Sequence, residues 1–309
     1  MKRATFITTA VLSLALTACG ANADPTKPPP AGGGATSGAA AGGGSAIVVG
    51  SADFSESQVL AEVYAGALRA KGIQATTRPN IGSREVYLKA LQDKSIDLIP
   101  EYTGSLLVYL KKDANARKAP DEVYAALKAA LPDTLTVLDK SAAEDKNSMV
   151  VTKETAAKWS LKAIGDLAAH QNEIVVAAPP EFQNREQGLP GLKGQYNFTP
   201  KDFRPLKGKA IVDALINGQA QLGNIFSTDP SIVTNSFVVL DDPKKLYGSD
   251  NVVPLVTKAK SNDAIAAALN AVSAKLDTPT LTGLVKGVDV DKKDTTAVAK
   301  EFLTKNGLG

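Results

Sequence analysis

From residue 46 to the end of the chain, short runs of β-branched residues alternate with stretches in which apolar residues recur on one helical face. The first run covers residues 47–49, and apolar residues then repeat with helical spacing from residue 59 to residue 68. Ser55 is placed to cap this helix, and Gly72 is placed to end it. Alternation of this kind predicts an α/β fold, with parallel sheets covered by helices.

The same alternation recurs later in the chain. The pattern predicts strands at residues 73–78, 96–99, 174–177, 203–206, 222–226, 237–240 and 252–257, and helices at residues 83–91, 209–217, 263–276, 279–286 and 295–305. A strand-rich middle between two αβ blocks indicates that the chain builds one lobe, builds a second and returns to the first. We therefore expect lobe 1 at 46–144 plus 250–309, lobe 2 at 145–249, and a cleft between them.

The first 45 residues have a different composition. Lys2 and Arg3 precede a short apolar stretch and small residues, which is typical of a secretory signal over residues 1–18. Cys19 is the single cysteine and stands where a bacterial lipobox places the residue that becomes acylated. Residues 19–45 are rich in glycine, proline and alanine, so we expect a lipidated cysteine followed by a disordered tether. The predicted location is extracytoplasmic, anchored to the cell membrane by lipid.

Charge and composition exclude several classes of function. The chain has 35 basic and 32 acidic residues and no basic run with interleaved aromatic residues, which argues against nucleic acid as a partner. Its one histidine and one cysteine provide neither a nucleophile with its base nor a metal site, and its glycine clusters lie in the tether. We therefore expect no enzyme activity, no cofactor and no metal.

Six segments of the body carry a resemblance to a known family. They resemble the glycine betaine, carnitine and choline-binding proteins of osmoprotectant ABC importers, the ProX type, at residues 54–60, 82–87, 96–104, 180–182, 188–192 and 226–229. The most specific of these contains Pro100-Glu101-Tyr102-Thr103-Gly104. The resemblance implies a type II periplasmic binding protein fold, in which the solute binds in a hinged cleft between two α/β lobes.

The function that the resemblance implies is delivery of a small osmoprotectant-like solute to ABC permease subunits by a monomeric, lipid-anchored binding protein. The hinge is expected at the two crossovers between the lobes, near residues 141–147 and 247–251. Two alternatives stay open at this point. The protein could present its closed form to a receptor as a solute sensor, or it could bind a ligand outside the quaternary-amine class.

Tyr102 is a candidate ligand contact on physical grounds as well. It follows a predicted parallel strand, and ligands of α/β sheets bind beyond the carboxyl ends of the strands. Thr103 and Ser105 lie at the start of the next helix, where a carboxylate is favoured by free N–H groups. Asp53 and Arg185 are further candidates, although each can equally be a surface charge.

The remaining candidates come from the resemblance, position by position. In the family a cage of tyrosines surrounds the quaternary ammonium group, and the corresponding positions here are Lys146, Asn147, Ser148, Leu189, Val212, Phe226, Ser227 and Thr228. Tyr102 and Phe226 keep an aromatic ring, whereas Ser148, Leu189 and Val212 have none. With Lys146 nearby, this pattern predicts weak binding of glycine betaine and a preference for a less cationic, bulkier solute.

Overall fold

The computed structural model describes residues 46–309. The predicted signal sequence, Cys19 and the predicted tether lie outside the described residues. Within the described part, the structure consists of two five-stranded mixed sheets with helices packed on them. We call the first sheet with its helices lobe 1 and the second sheet with its helices lobe 2. No helix of the described part is long and apolar enough to cross a membrane.

Lobe 1 is assembled from both ends of the described chain. Its strands are β1 (Ile47–Gly50), β2 (Ala75–Arg78), β3 (Leu98–Tyr102), β4 (Leu135–Val137) and β10 (Val252–Thr257). Their order across the sheet is β2-β1-β3-β10-β4. β1 runs parallel to β2 and β3, whereas β10 pairs antiparallel with β3 and β4. The returning strand β10 therefore closes lobe 1 after lobe 2 has been built.

The helices of lobe 1 cover its sheet. They are α1 (Ser55–Ala70), α2 (Arg84–Gln92), α3 (Thr103–Leu110), α4 (Pro120–Ala130), α9 (Asp263–Ser273), α10 (Thr278–Asp289) and α11 (Thr295–Lys305). The apolar face predicted for α1 is buried against the sheet and the C-terminal helices. Its predicted cap is wrong: Ser55 is the first helical residue, and its hydroxyl donates to Asp289 Oδ1 at 2.6 Å instead.

Lobe 2 is continuous in sequence. Its strands are β5 (Asn147–Val151), β6 (Val175–Ala178), β7 (Asp202–Pro205), β8 (Leu222–Phe226) and β9 (Val238–Val239), in the order β7-β6-β8-β5-β9. Its helices are α5 (Lys153–Trp159), α6 (Leu189–Tyr196), α7 (Lys209–Ile216) and α8 (Ser231–Thr234), with 3₁₀ helices at Ile164–His170 and Pro180–Gln183. Two apolar clusters, one on each side of the sheet, form its core.

The two crossovers between the lobes lie side by side. Glu144 and Asn251 form an antiparallel bridge, and the Asp145 N–H donates to the Asp250 carbonyl oxygen at 3.1 Å. Gly104, in the first turn of α3, packs against the second crossover so closely that a Cβ there would lie 2.2 Å from the Ser249 carbonyl oxygen. This packing brings two carboxyl-bearing residues of the crossovers to the junction of the lobes.

Candidate functional site

A cavity of about 250 Å³ lies between the two lobes. Its wall is formed by the residues that follow β1, β3 and β8, by the first turns of α1 and α3, and by both crossovers. This position, beyond the carboxyl ends of parallel strands, is where α/β sheets bind ligands. The volume is near the lower end for small-molecule sites, which typically begin at about 300 Å³, so the cavity suits a compact solute.

Three aromatic rings form one side of the cavity. The ring centroids of Phe54 and Phe226 are 5.1 Å apart, and those of Phe54 and Tyr102 are 6.3 Å apart, with tilted planes in both pairs. Phe54 and Tyr102 belong to lobe 1, whereas Phe226 ends β8 of lobe 2. Aromatic faces carry negative electrostatic potential and attract cations that lie within about 6 Å.

Glu56 faces the same cavity from the first turn of α1 and is 3% exposed. Its Oε1 accepts a hydrogen bond from the Tyr102 hydroxyl at 2.6 Å, and its Oε2 accepts one from the Thr228 hydroxyl at 2.5 Å. Burial raises the pKa of Glu56 to about 7, although hydrogen bonds from Thr228 and Tyr102 act in the opposite direction. Since Thr228 belongs to lobe 2, this carboxyl group connects the two lobes.

Asp145 lies beside Glu56, at the end of the first crossover. Its Oδ1 accepts hydrogen bonds from the Thr228 N–H and the Ser227 hydroxyl, both at 3.2 Å. Burial, followed by the neighbouring Glu56 carboxyl, raises the pKa of Asp145 well above its ordinary value. Two adjacent carboxyl groups therefore share the polar wall of the cavity.

Asp250, in the second crossover, occupies the N-terminus of α3. Its Oδ1 accepts hydrogen bonds from the Gly104 and Ser105 N–H groups at 2.8 and 2.9 Å, and its Oδ2 accepts one from the Ser105 hydroxyl at 2.5 Å. Burial raises its pKa to about 6, against the lowering effect of these hydrogen bonds. The N–H groups predicted to receive a carboxylate of the solute thus already bind a carboxylate of the protein.

Direct bonds between the lobes border the cavity. Arg185 of lobe 2 donates two hydrogen bonds to Glu85 of lobe 1, at 2.9 and 3.0 Å, and the Lys207 ammonium group contacts Asp53 at 2.5 Å. Burial alone raises the pKa of Glu85, but the hydrogen bonds from Arg185 and Ser83 are stronger in sum and lower it to about 2. The structure therefore has its lobes in contact around the cavity.

The cavity wall contains more acidic than basic side chains. Seven carboxyl groups line the cavity, against three basic side chains: Asp53, Glu56, Asp145, Glu181, Asp229, Asp250 and Asp289, against Arg84, Arg185 and Lys207. Each basic side chain forms an ion pair with a carboxylate, since Arg84 pairs with Glu101, Arg185 with Glu85 and Lys207 with Asp53. Within residues 46–309, no group of three or more acidic, histidine or cysteine side chains is placed to hold a metal ion.

Comparison with known proteins agrees with this architecture. Residues 45–305 match the family described as the substrate binding domain of ABC-type glycine betaine transport systems. The chain belongs to this family. Its members are solute-binding components that work with the permease subunits of ABC transporters, and they are not enzymes.

Individual relatives of this binding-protein family are distant in sequence. A carnitine transport binding protein of Listeria monocytogenes is 26% identical over 84% of this chain and 86% of its own length. A glycine-betaine-binding protein of Pseudomonas aeruginosa is 27% identical over 84% and 88%. A crystal structure of a glycine betaine/carnitine/choline ABC transporter protein is similar with a TM-score of 0.67, at 24% identity over 85% and 99%. The predicted type II fold is confirmed.

Seven of the residues predicted for the binding site line the cavity of this family member: Asp53, Tyr102, Ser105, Asn147, Arg185, Phe226 and Thr228. Two others lie directly behind this wall. Thr103 accepts a hydrogen bond from the Asn251 N–H at 3.0 Å, and Ser227 donates to Asp145. Their hydroxyl groups therefore hydrogen-bond to the crossovers and are not part of the cavity surface.

Four predicted positions lie away from the cavity, and the interpretation built on them needs correction. The Lys146 ammonium group pairs with Glu144 at 2.9 Å and does not line the cavity. Ser148 is buried within β5, Leu189 packs against the lobe 2 core and Val212 is buried in α7. They therefore give no reason to expect a less cationic solute, because the wall itself has an excess of carboxyl groups.

Sequence reasoning missed Phe54, Glu56, Asp145 and Asp250. Phe54 and Glu56 lie inside a segment that resembles the family, where the local pattern predicts a helix start and gives no sign of a binding role. The two aspartates lie inside the predicted crossovers. The sequence does contain an indication of both aspartates. The two crossovers join the same lobes and therefore lie at the cleft, and each of them contains an acidic residue.

The raised pKa of Glu56 predicts that the ligand-free protein loses stability as pH increases. The group binds its proton more tightly when folded, since its pKa changes from an ordinary value of 4.5 to about 7. Its stabilising contribution is complete below pH 4.5 and is lost as pH rises through about 7. We expect Glu56→Gln to reduce this fall in the free energy of unfolding by on the order of 1–3 kcal/mol.

Urea denaturation between these pH values measures the effect. Asp145 and Asp250 have raised pKa values as well, so the variant should reduce the dependence of the free energy of unfolding on pH without removing it. Glu122→Gln is the matched control, because the Glu122 side chain is 58% exposed on α4. A profile for Glu56→Gln that coincides with those of the wild type and the control would show that Glu56 is not buried as described.

Proposed function

We propose that this protein binds a small solute with an ammonium group, of the glycine betaine, carnitine and choline class, and delivers it to an ABC permease. The observation that carries the proposal is the cavity wall, which contains three neighbouring aromatic rings and seven carboxyl groups. An alkylated ammonium ion combines a positive charge with an apolar surface, and this wall complements both. The names of the relatives in Listeria and Pseudomonas support the same class.

We propose hinge closure as the mechanism. The lobes 46–144 plus 250–309 and 145–249 turn about the crossovers, where Asp145 and Asp250 hydrogen-bond to each other's segments. A solute in the cavity contacts Tyr102 from one lobe and Phe226 from the other, so it stabilises the closed arrangement. The ion pairs of Asp53 with Lys207 and of Glu85 with Arg185 support closure at the rim.

The direct test is calorimetric titration of the purified protein with glycine betaine, carnitine and choline. We expect at least one of them to bind, and we expect Phe226→Ala to weaken that binding by about tenfold, because a good cation–π contact contributes roughly 0.5 to 2 kcal/mol. Phe203→Ala is the matched control, since Phe203 packs against the core of the same lobe and does not line the cavity. Absence of binding for all three solutes would contradict the proposal.

We further propose that the mature protein is a monomer anchored outside the cytoplasmic membrane through acylated Cys19. The lipobox and the composition of residues 19–45 support this proposal, and both lie outside the described residues. Stable anchoring requires more than one acyl chain, and a lipoprotein cysteine carries a diacylglycerol group. The location is consistent with capture of a solute before import.

Cys19→Ser should abolish membrane association. Cells that express the wild type should retain it in the washed membrane fraction, whereas the variant should be released in soluble form, as judged by immunoblotting of both fractions. Because Cys19 is the single cysteine, solute binding by the released variant should equal that of the wild type. Equal retention of both proteins in membranes would show that another feature provides the anchor.

A further inference from the structure

We propose that Asp250 is a specificity-determining residue that makes the cleft select compact ammonium solutes without a carboxylate and discriminate against betaines. This inference rests on the proposed function, since it concerns which members of the ammonium class the same cavity accepts. It predicts that two solutes with the same trimethylammonium group differ in affinity according to their other end.

The N-terminus of α3 is already occupied by a carboxylate of the protein. Free N–H groups at a helix start are a ready site for an anion. Here the N–H groups of Gly104 and Ser105 both donate to Asp250 Oδ1, and the Ser105 hydroxyl donates to Asp250 Oδ2. Asp250 is 5% exposed, and Ser105 and Asp250 both line the cavity. A carboxylate of the solute at this place would therefore meet a fixed negative charge instead of free donors.

The basic side chains of the wall are the other candidate partners for a carboxylate of the solute. The basic side chains of the cavity wall are Arg84, Arg185 and Lys207, and each one already pairs with a protein carboxylate. Arg84 is the most buried of them, and its guanidinium group donates to both oxygens of Glu101 at 2.8 Å. The described residues of the wall thus leave no basic side chain without an acidic partner, and a zwitterion would have to break one of these pairs.

The ammonium group of the solute has buried carboxyl groups of the wall as its partners. Glu56 and Asp145 are both buried in the wall, and no lysine or arginine of the described residues forms an ion pair with either. The two carboxyl groups hydrogen-bond to each other, and their other hydrogen bonds come from hydroxyl and backbone N–H groups. Burial raises the pKa of both groups, and a positive charge beside them favours their ionised forms and compensates for the cost of burying these. A solute with one positive charge and a neutral polar end is attracted by the carboxyl groups of the wall and repelled by none of them. A betaine has the same attraction at its ammonium group but is repelled at its carboxylate.

Three probes that differ by one feature each test the inference. Choline has the trimethylammonium group and a hydroxyl, glycine betaine has the same group and a carboxylate, and the tert-butyl analogue of choline has carbon in place of nitrogen. In titrations of the wild type at about pH 7.5, where Asp250 with its pKa of about 6 is ionised, we expect choline to bind at least about tenfold more tightly than either of the others.

Asp250→Asn supplies the matched variant. Asparagine keeps an oxygen that can accept from the α3 N–H groups and removes the charge, and its NH2 group replaces the oxygen that accepts from the Ser105 hydroxyl. We expect it to weaken choline and strengthen glycine betaine, so that the ratio of their dissociation constants changes by about tenfold or more. Asp289→Asn removes another carboxylate of the wall, at the end of α10, and should change this ratio much less because α3 stays occupied. Circular dichroism and melting temperature show whether each variant is folded.

The outcomes separate the two claims. If glycine betaine binds the wild type as tightly as choline, or if Asp250→Asn leaves the ratio unchanged, the role of Asp250 is wrong while the proposed function stands. If the tert-butyl analogue binds as tightly as choline, the cleft does not select a cation. If no ammonium solute binds at all, the proposed function itself fails. Should Asp250→Asn not fold, the three titrations of the wild type still decide whether carboxylates are rejected.

Discussion

The carboxyl groups of Glu56, Asp145 and Asp250 are buried where the two lobes meet. Among the described residues none of the three forms an ion pair with a lysine or arginine, although the charge of Arg84 lowers the pKa of Asp250. Placing ionised carboxylates in such surroundings is costly unless donors or a cation compensate. Hydroxyl and backbone N–H groups provide part of the compensation, and they come from both lobes: Tyr102 and Ser105 from lobe 1, Thr228 from lobe 2. These hydrogen bonds join the two lobes at the cavity, and under the proposed function a bound cation completes the compensation.

The fold could be predicted in outline because each lobe obeys local rules. The periodicity along α1 and the β-branched runs of β1, β8 and β10 identified these elements within a few residues, since burial on one face leaves a pattern in the sequence. β4 was missed because it has only three residues and pairs with β10, far away in the chain.

The candidate site was predicted less well, for a physical reason. Tyr102 and Phe226 are the last residues of β3 and β8, and residues at strand ends can be placed by topology alone. Leu189 and Val212 are placed at the site only by their position in the family pattern. Their side chains pack into the lobe 2 core instead, because position in the sequence does not determine which face of a helix is turned towards the cavity. The role of Asp250 at α3 depends on packing between residues 146 positions apart, which no local pattern records.

Capture of a cation by buried carboxyl groups is tested most directly by proton release on binding. A cation beside Glu56 favours the ionised form, so the pKa of about 7 should fall and a proton should leave when the solute binds. Titration calorimetry of choline in buffers of different ionisation enthalpy measures this number. We predict net release at about pH 7, which is the lower end of the range to be measured because the pKa of the neighbouring Asp145 is raised as well. Proton uptake, or binding without any proton change at the lower pH, would contradict the account.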